Sequence, residues 1–139
     1  MKNARRLLCL ALVFVTLFTL VACSTFGSVK KNFEENGYTY VELDEDDSTV
    51  KTLTAELEEG EISCTVHMFS KDGSILPAIA LVLEFGSDKE LQKAFAEDGS
   101  ETLKGLIKDA QDSEYVNGNC VLFPLSILNA DEMKEIFNK

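Results

Sequence analysis

The sequence predicts an α+β domain: an antiparallel sheet of about five strands with helices packed on one face. Three observations lead there. Stretches with a two-residue apolar alternation fill the middle of the chain. Turn signals at Glu59-Gly60, Asp72-Gly73 and Asn117-Gly118 separate them. Helix-period stripes sit before and after the run of strands rather than between every pair of them, which is the α+β order.

The chain opens on a leader. Met1 to Arg6 holds Lys2, Arg5 and Arg6 and no acid, and Leu7 to Leu20 is almost wholly apolar. A basic start, an apolar run and small residues before a cut are the parts of an export signal. The run is short for a spanning helix, which needs roughly 20 such residues. Residues 1–22 are expected to be cleaved off, residues 23–29 to form a small polar tether, and residues 30–139 to fold as one globular domain. The 117 residues that remain after the cut suffice for one core and are too few for two.

Within that domain, Val29 to Asn36 reads as a helix capped by Ser28 and stopped by Gly37, with Val29 and Phe33 on one face. Tyr38 to Leu43 alternates and reads as a strand, and Asp44 to Ser48 as an acidic turn. Val50 to Leu57 fits two patterns: Leu53, Ala55 and Leu57 alternate, while Val50, Leu53 and Leu57 also suit a helix. The turn-like Glu59-Gly60 tips the reading to a strand. Glu61 to Ser70 is expected to pair through the Asp72-Gly73 turn with Ala78 to Phe85. The latter is apolar on both faces and so is the predicted central strand. Ser87-Asp88-Lys89-Glu90 is a capping box that starts a helix with Leu91, Ala94 and Phe95 inward. Asp98-Gly99-Ser100 should break it before the stripe resumes at Leu103, Leu106, Ile107 and Ala110. Tyr115 to Leu122 reads as a tight hairpin, and a last helix from Asn129 turns Met133, Ile136 and Phe137 inward. Phe85, Phe95, Leu106 and Phe137 are expected to share one core.

Charge is segregated. The whole chain carries net −11, but with the leader's three cations set aside the rest holds 10 basic residues against 24 acidic ones, a net −14. Phosphate backbones call for clustered Lys and Arg, so this body argues against nucleic acid. It argues equally against adhesion to anionic lipid by charge.

Leu20-Val21-Ala22-Cys23 resembles the lipobox of bacterial lipoproteins, in which Leu, a small residue, and Ala or Gly precede an obligatory Cys; all four positions match. The resemblance implies that the Cys23 thiol receives a diacylglyceryl group, that the leader is cut before it, and that the new amine is open to acylation by a palmitate-like chain. One acyl chain is a marginal anchor and two or three make a stable one. The implied location is the cell membrane, lipid-anchored on the extracytoplasmic face. Further on, Asn32-Phe33-Glu34-Glu35-Asn36-Gly37-Tyr38 and Gly118-Asn119-Cys120-Val121 resemble segments of small uncharacterised lipoproteins of Gram-positive anaerobes, a likeness that implies no activity.

Few residues point to chemistry. Once Cys9 leaves with the leader and Cys23 is lipidated, Cys64 and Cys120 are the remaining thiols. Export allows a disulfide between them, which would close a loop of 56 residues worth on the order of 3–4 kcal/mol. Their apolar neighbours Ile62, Val66, Val121 and Leu122 favour two reduced, buried thiols instead. His67, the single histidine, stands mid-strand without the converging ligands of a zinc site or the nucleophile of a triad. A calcium loop that starts at Asp44 would need Gly at 49 and Glu at 55, where the chain has Thr49 and Ala55, so the acidic runs at Asp44–Asp47 and Glu56–Glu61 read as a solvated turn and strand edge. No phosphate loop or dinucleotide fingerprint is present, so no cofactor or metal is expected. The expectation is a non-catalytic binding or structural role in the cell envelope, with the membrane held through Cys23 and another envelope protein as partner. A small-ligand-binding accessory to a transporter and an envelope hydrolase are the alternatives.

Overall fold

Ala78–Phe85, the stretch that is apolar on both faces, forms the middle strand of the sheet. The computed structural model describes residues 25–44, 46–73, 75–96 and 113–139. Their elements run α1 (Thr25–Glu35), β1 (Thr39–Val41), α2 (Ser48–Glu59), β2 (Cys64–Lys71), β3 (Ala78–Phe85) and α3 (Asp88–Phe95). A 3-10 turn (Ser113–Tyr115), β4 (Val116–Asn117), β5 (Cys120–Pro124), a second 3-10 turn (Ile127–Asn129) and α4 (Ala130–Phe137) follow. All pairings are antiparallel, in the order β1-β2-β3-β5-β4, so the fold is the α+β sheet of five strands that the sequence predicts. The expected break at Asp98-Gly99-Ser100 and the stripe from Leu103 to Ala110 lie outside the described residues, as do the leader and Cys23.

The helices, expected on one face, occupy both. Directly opposed residues share a face, and His67↔Val82, Phe69↔Ala80 and Val82↔Leu122 define the first. Val29 and Phe33 of α1 and Met133, Ile136 and Phe137 of α4 bury against it. Leu83, Phe85 and Val121 point the other way, and Leu57 of α2 with Leu91 and Ala94 of α3 cover them. A strand apolar on both faces must be shielded from water on both. For the same reason Phe85 and Phe137 do not share a core: they lie in separate clusters across the sheet. Phe95 packs against the cluster that holds Phe85, and Leu106 is outside the described residues.

Ser48–Glu59 is a helix, which corrects the strand expected at Val50–Leu57. Val50 and Leu57 are two turns apart, so a helix turns both to one side, and Leu57 is buried. The hydroxyls of Thr52 and Thr54, residues that favour strands, return hydrogen bonds to the Ser48 and Val50 carbonyls at 2.9 and 2.8 Å. The helix ends at Glu61, whose φ of +55° is the left-handed stop, with the Ile62 N–H donating to the Leu57 carbonyl at 2.9 Å.

α1 also begins earlier than expected, at Thr25, so residues 25–29 are helix and not tether. Phe26 adds a residue to the Val29–Phe33 stripe and packs against the core. Gly37 takes the predicted left-handed stop at φ +87°. In the capping box the Ser87 Oγ accepts from the Glu90 N–H at 3.3 Å, while the Glu90 carboxylate accepts from the Ser63 N–H at 3.4 Å. The hairpin forms one residue later than its Asn117-Gly118 signal, with Asn117 paired to Cys120 and Gly118-Asn119 as the turn. Gly118 has φ +57°, and a Cβ there would stand 2.6 Å from the Thr25 hydroxyl, so only glycine lets α1 start over the hairpin.

Candidate functional site

The sheet has two unlike ends. One carries Phe85, the Gly118-Asn119 turn and, above that turn, Thr25, where α1 begins. The other is made of the β2–β3 loop and the β5–α4 connection. There Ile75, Leu76, Leu125, Ile127 and Leu128 stand 59 to 94 % exposed. Eight residues of strand put the two ends ~25 Å apart.

Three hydrogen bonds tie the β5–α4 connection to the start of β3. Ser126 Oγ accepts from the Ile79 N–H and donates to the Pro77 carbonyl, both at 3.1 Å, and the Leu125 N–H donates to the Ile79 carbonyl at 2.9 Å. The two loops are thereby brought to the same end of the sheet. From Leu125 an open groove of about 150 Å³ runs onto the second face of the sheet, lined by Leu43, Asp47, Val50, Val66, Met68 and Leu81. Apolar surface gathered in this way is uncommon on a monomer and marks contact sites. The sequence holds a signal for it: Ile75-Leu76, Leu125 and Ile127-Leu128 fall in loop positions, where apolar residues have no core to fill.

The second arrangement is polar and buried. His67 is 7 % exposed and is the buried polar residue among those described. Its Nδ1 lies 3.0 Å from the Tyr40 hydroxyl and its Nε2 2.9 Å from Glu84 Oε2. A carboxylate only accepts, so Nε2 carries the proton and donates to Glu84, and the phenol donates to Nδ1. Phe26 stacks on the imidazole, and the Lys30 ammonium lies 4.5 Å from the Tyr40 ring centroid. Burial lowers the His67 pKa below 6.5; the bond to Glu84 and its charge oppose this, and Lys30 adds to it. Tyr40 moves up from 10, through burial first and then Glu42 and Glu84.

Phenol, imidazole and carboxylate in a chain have the connectivity of a proton relay. What the chain does physically is satisfy a buried imidazole and pin α1, β1, β2 and β3 together through four side chains. Sequence reading finds His67 but not its partners. The available signal is Glu84, the single charge within Ala78–Phe85.

Cys64 and Cys120 are free thiols. The disulfide weighed between them is ruled out by register. Cys64 opposes Phe85 and Cys120 opposes Glu84, so the two sulfurs sit on opposite faces with β3 between them. Burial, followed by Glu84, pushes both up to about 12. Cys120 is buried as expected, and Cys64 half-buried. The acidic residues Glu56–Glu61 lie along α2 and its end, and no three of His, Cys, Asp and Glu converge on a metal-sized space among the described residues. No helix of the described residues is long and apolar enough to cross a membrane. Comparison with protein families, curated proteins and solved structures finds nothing that matches this chain.

Proposed function

We propose that this chain is a membrane-anchored, extracytoplasmic lipoprotein with a non-catalytic binding role in the cell envelope. The anchor is Cys23, on the strength of Leu20-Val21-Ala22-Cys23 behind a basic and apolar leader. The binding role is carried by one observation, the exposed aliphatic residues Ile75, Leu76, Leu125, Ile127 and Leu128 at one end of the sheet. Thr25, two residues after Cys23, starts at the opposite end of the sheet. Two residues of chain reach about 7 Å. A lipid on Cys23 therefore holds the Thr25 end near the bilayer and leaves the tip directed away from it.

The test fractionates cells that produce the wild type or Cys23→Ala and weighs the N-terminal peptide of the mature chain. The expected result is a peptide that begins at diacylated or triacylated Cys23 in the membrane fraction, and an uncut leader in Cys23→Ala. A mature chain that begins elsewhere, or an unmodified Cys23, overturns the anchor.

A further inference from the structure

We propose that the N-terminal half of α1 is an acid-released latch, docked on the sheet over the neutral imidazole of His67. The latch stands on the geometry around that ring; its consequence for the tether rests on the Cys23 anchor proposed above.

The groups that act on the imidazole are divided between two bodies. Glu84 of β3, 2.9 Å from Nε2, and Tyr40 of β1, 3.0 Å from Nδ1, belong to the sheet. Phe26, stacked on the ring at 3.6 Å, and Lys30, 4.5 Å from the Tyr40 centroid, belong to α1 and stand one turn apart on the same side of it. The carboxylate on the sheet favours the imidazolium. The two residues on the helix oppose it, Phe26 by excluding water and Lys30 by like charge. The direction of the His67 shift agrees: burial lowers it, Glu84 raises it and Lys30 lowers it. Of the other charges near this face, Glu42 acts on Tyr40, while α4 directs Glu132 to Lys71 and Lys134 to Asp131 and Glu114. A proton on Nδ1 also makes both ring nitrogens donors, so the Tyr40 hydroxyl loses the acceptor of its own proton.

Lifting α1 removes the cover and the cation together and leaves Glu84 in place. The imidazole therefore binds a proton more tightly when α1 is lifted than when it is docked, and by linkage acid favours the lifted state. Docking is fully supported above the His67 pKa of the lifted state and loses that support as pH falls toward the lower, docked value. α1 begins two residues after Cys23. While lifted, residues 25–29 add about 17 Å of reach to the tether, so the latch sets how closely the body is held to the bilayer.

The test is amide hydrogen exchange of the full chain in phosphatidylcholine nanodiscs, read by mass at pH 5 and 7.5 and corrected for intrinsic exchange at each pH. The α1 amides should open several-fold more often at pH 5, with those of α4 little changed. His67→Gln should abolish the difference. Lys30→Gln should shrink it and raise the His67 pKa in a proton NMR titration, which keeps the test available if His67→Gln does not fold. An equal rise in α1 and α4 would mean general acid destabilisation and overturns the latch. So does a pH difference that is absent in the wild type or fully retained in His67→Gln. A His67 pKa that falls in Phe26→Ala would show that the stacked ring favours the imidazolium, and reverses the sign. The mass of the Cys23 peptide from the same preparation reads the anchor separately; an unmodified Cys23 removes the tether's part and leaves the latch standing.

Discussion

Phe26 lies flat on His67, with ring centroids 3.6 Å apart and planes 17° from parallel. The contact puts the first turn of α1 against the one buried polar side chain of the described sheet and closes that imidazole from water. α1 therefore reports on His67, and His67 on α1. Phe26→Ala should cost about 2 kcal/mol, below the full cost of a buried Phe because this ring is half-buried. It should also return the His67 pKa toward 6.5, since burial is the leading cause of its depression. Urea unfolding and a proton NMR titration measure the two. As the single histidine, His67 gives unambiguous signals in an untagged chain. An unchanged titration in Phe26→Ala would count against the contact.

The pH dependence follows from the same shift. The folded imidazole holds its proton less tightly than the unfolded one, whose pKa is 6.5. Between these two values the unfolded chain binds more protons, so acid favours unfolding. The contribution is complete above pH 6.5 and is lost as pH falls from 6.5 toward the folded value. Glu84→Gln removes the charge that raises His67 and leaves a neutral, weaker acceptor for its Nε2–H, so its pKa should fall further and the window extend to lower pH. A rise in the His67 pKa in Glu84→Gln would be inconsistent with the Nε2–H···Glu84 bond.

Cys64 and Cys120 should behave as independent, unreactive thiols. With both pushed up to about 12, thiolate is scarce at pH 8, and alkylation of the folded chain should be slow and become fast in urea. Mild oxidation should not lower the mass by two hydrogens, because the register holds the sulfurs on opposite faces. A monomeric disulfide product would contradict that register.

Glu61 occupies the left-handed stop of α2 at φ +55°, a conformation that disfavours any Cβ. Gly60 precedes it and does not take that position. Glu61→Gly should relieve the strain and, after allowance for a more flexible unfolded chain, raise stability by about 0.5–1 kcal/mol. The urea midpoint should move up with an unchanged slope. A lower midpoint would mean that the Glu61 side chain contributes more than its backbone costs.

Patterns with a single physical cause were legible in the sequence. Ala78–Phe85 is central because both its faces are apolar, and Met133, Ile136 and Phe137 bury because they recur at helical spacing. Where two causes compete, local pattern misleads. Val50–Leu57 satisfies strand alternation and helix periodicity together, and contact between Leu57 and the second face of the sheet decides for helix. Ser24–Ser28 is small and polar in composition, yet Phe26 finds a ring to stack on that only the folded sheet supplies. The His67 site depends on register. Tyr40 meets His67 from 27 positions away and Glu84 from 17, and no spacing rule links residues on three different strands. The aliphatic tip was written in the sequence as apolar residues in loops, but their convergence requires the antiparallel return of β5 beside β3.

Tyr38 is the cleanest site for a gain in stability. It is 3 % exposed, packs edge-on against Phe33 with centroids 5.1 Å apart, and lies under the Lys71 ammonium at 5.2 Å. Its hydroxyl is buried without a hydrogen-bond partner among the described residues. Lys71 is engaged by Glu132 at 2.9 Å, and Glu132 also accepts from Asn129, so the polar groups near the phenol bond to each other. A buried donor left unpaired costs roughly 1–3 kcal/mol, and exchanging it for an apolar group of the same shape removes that cost. Tyr38→Phe keeps the ring, its edge-on contact and the cation above it, so it should raise stability by about 1 kcal/mol, seen as an upward shift of the urea midpoint. Tyr38→Ala should lower it by about 3–5 kcal/mol through the cavity left between α1 and α4. A Tyr38→Phe protein less stable than wild type would show that the hydroxyl is satisfied in solution, by water or by a shift of Glu132, and would withdraw the unpaired phenol from the description of this core.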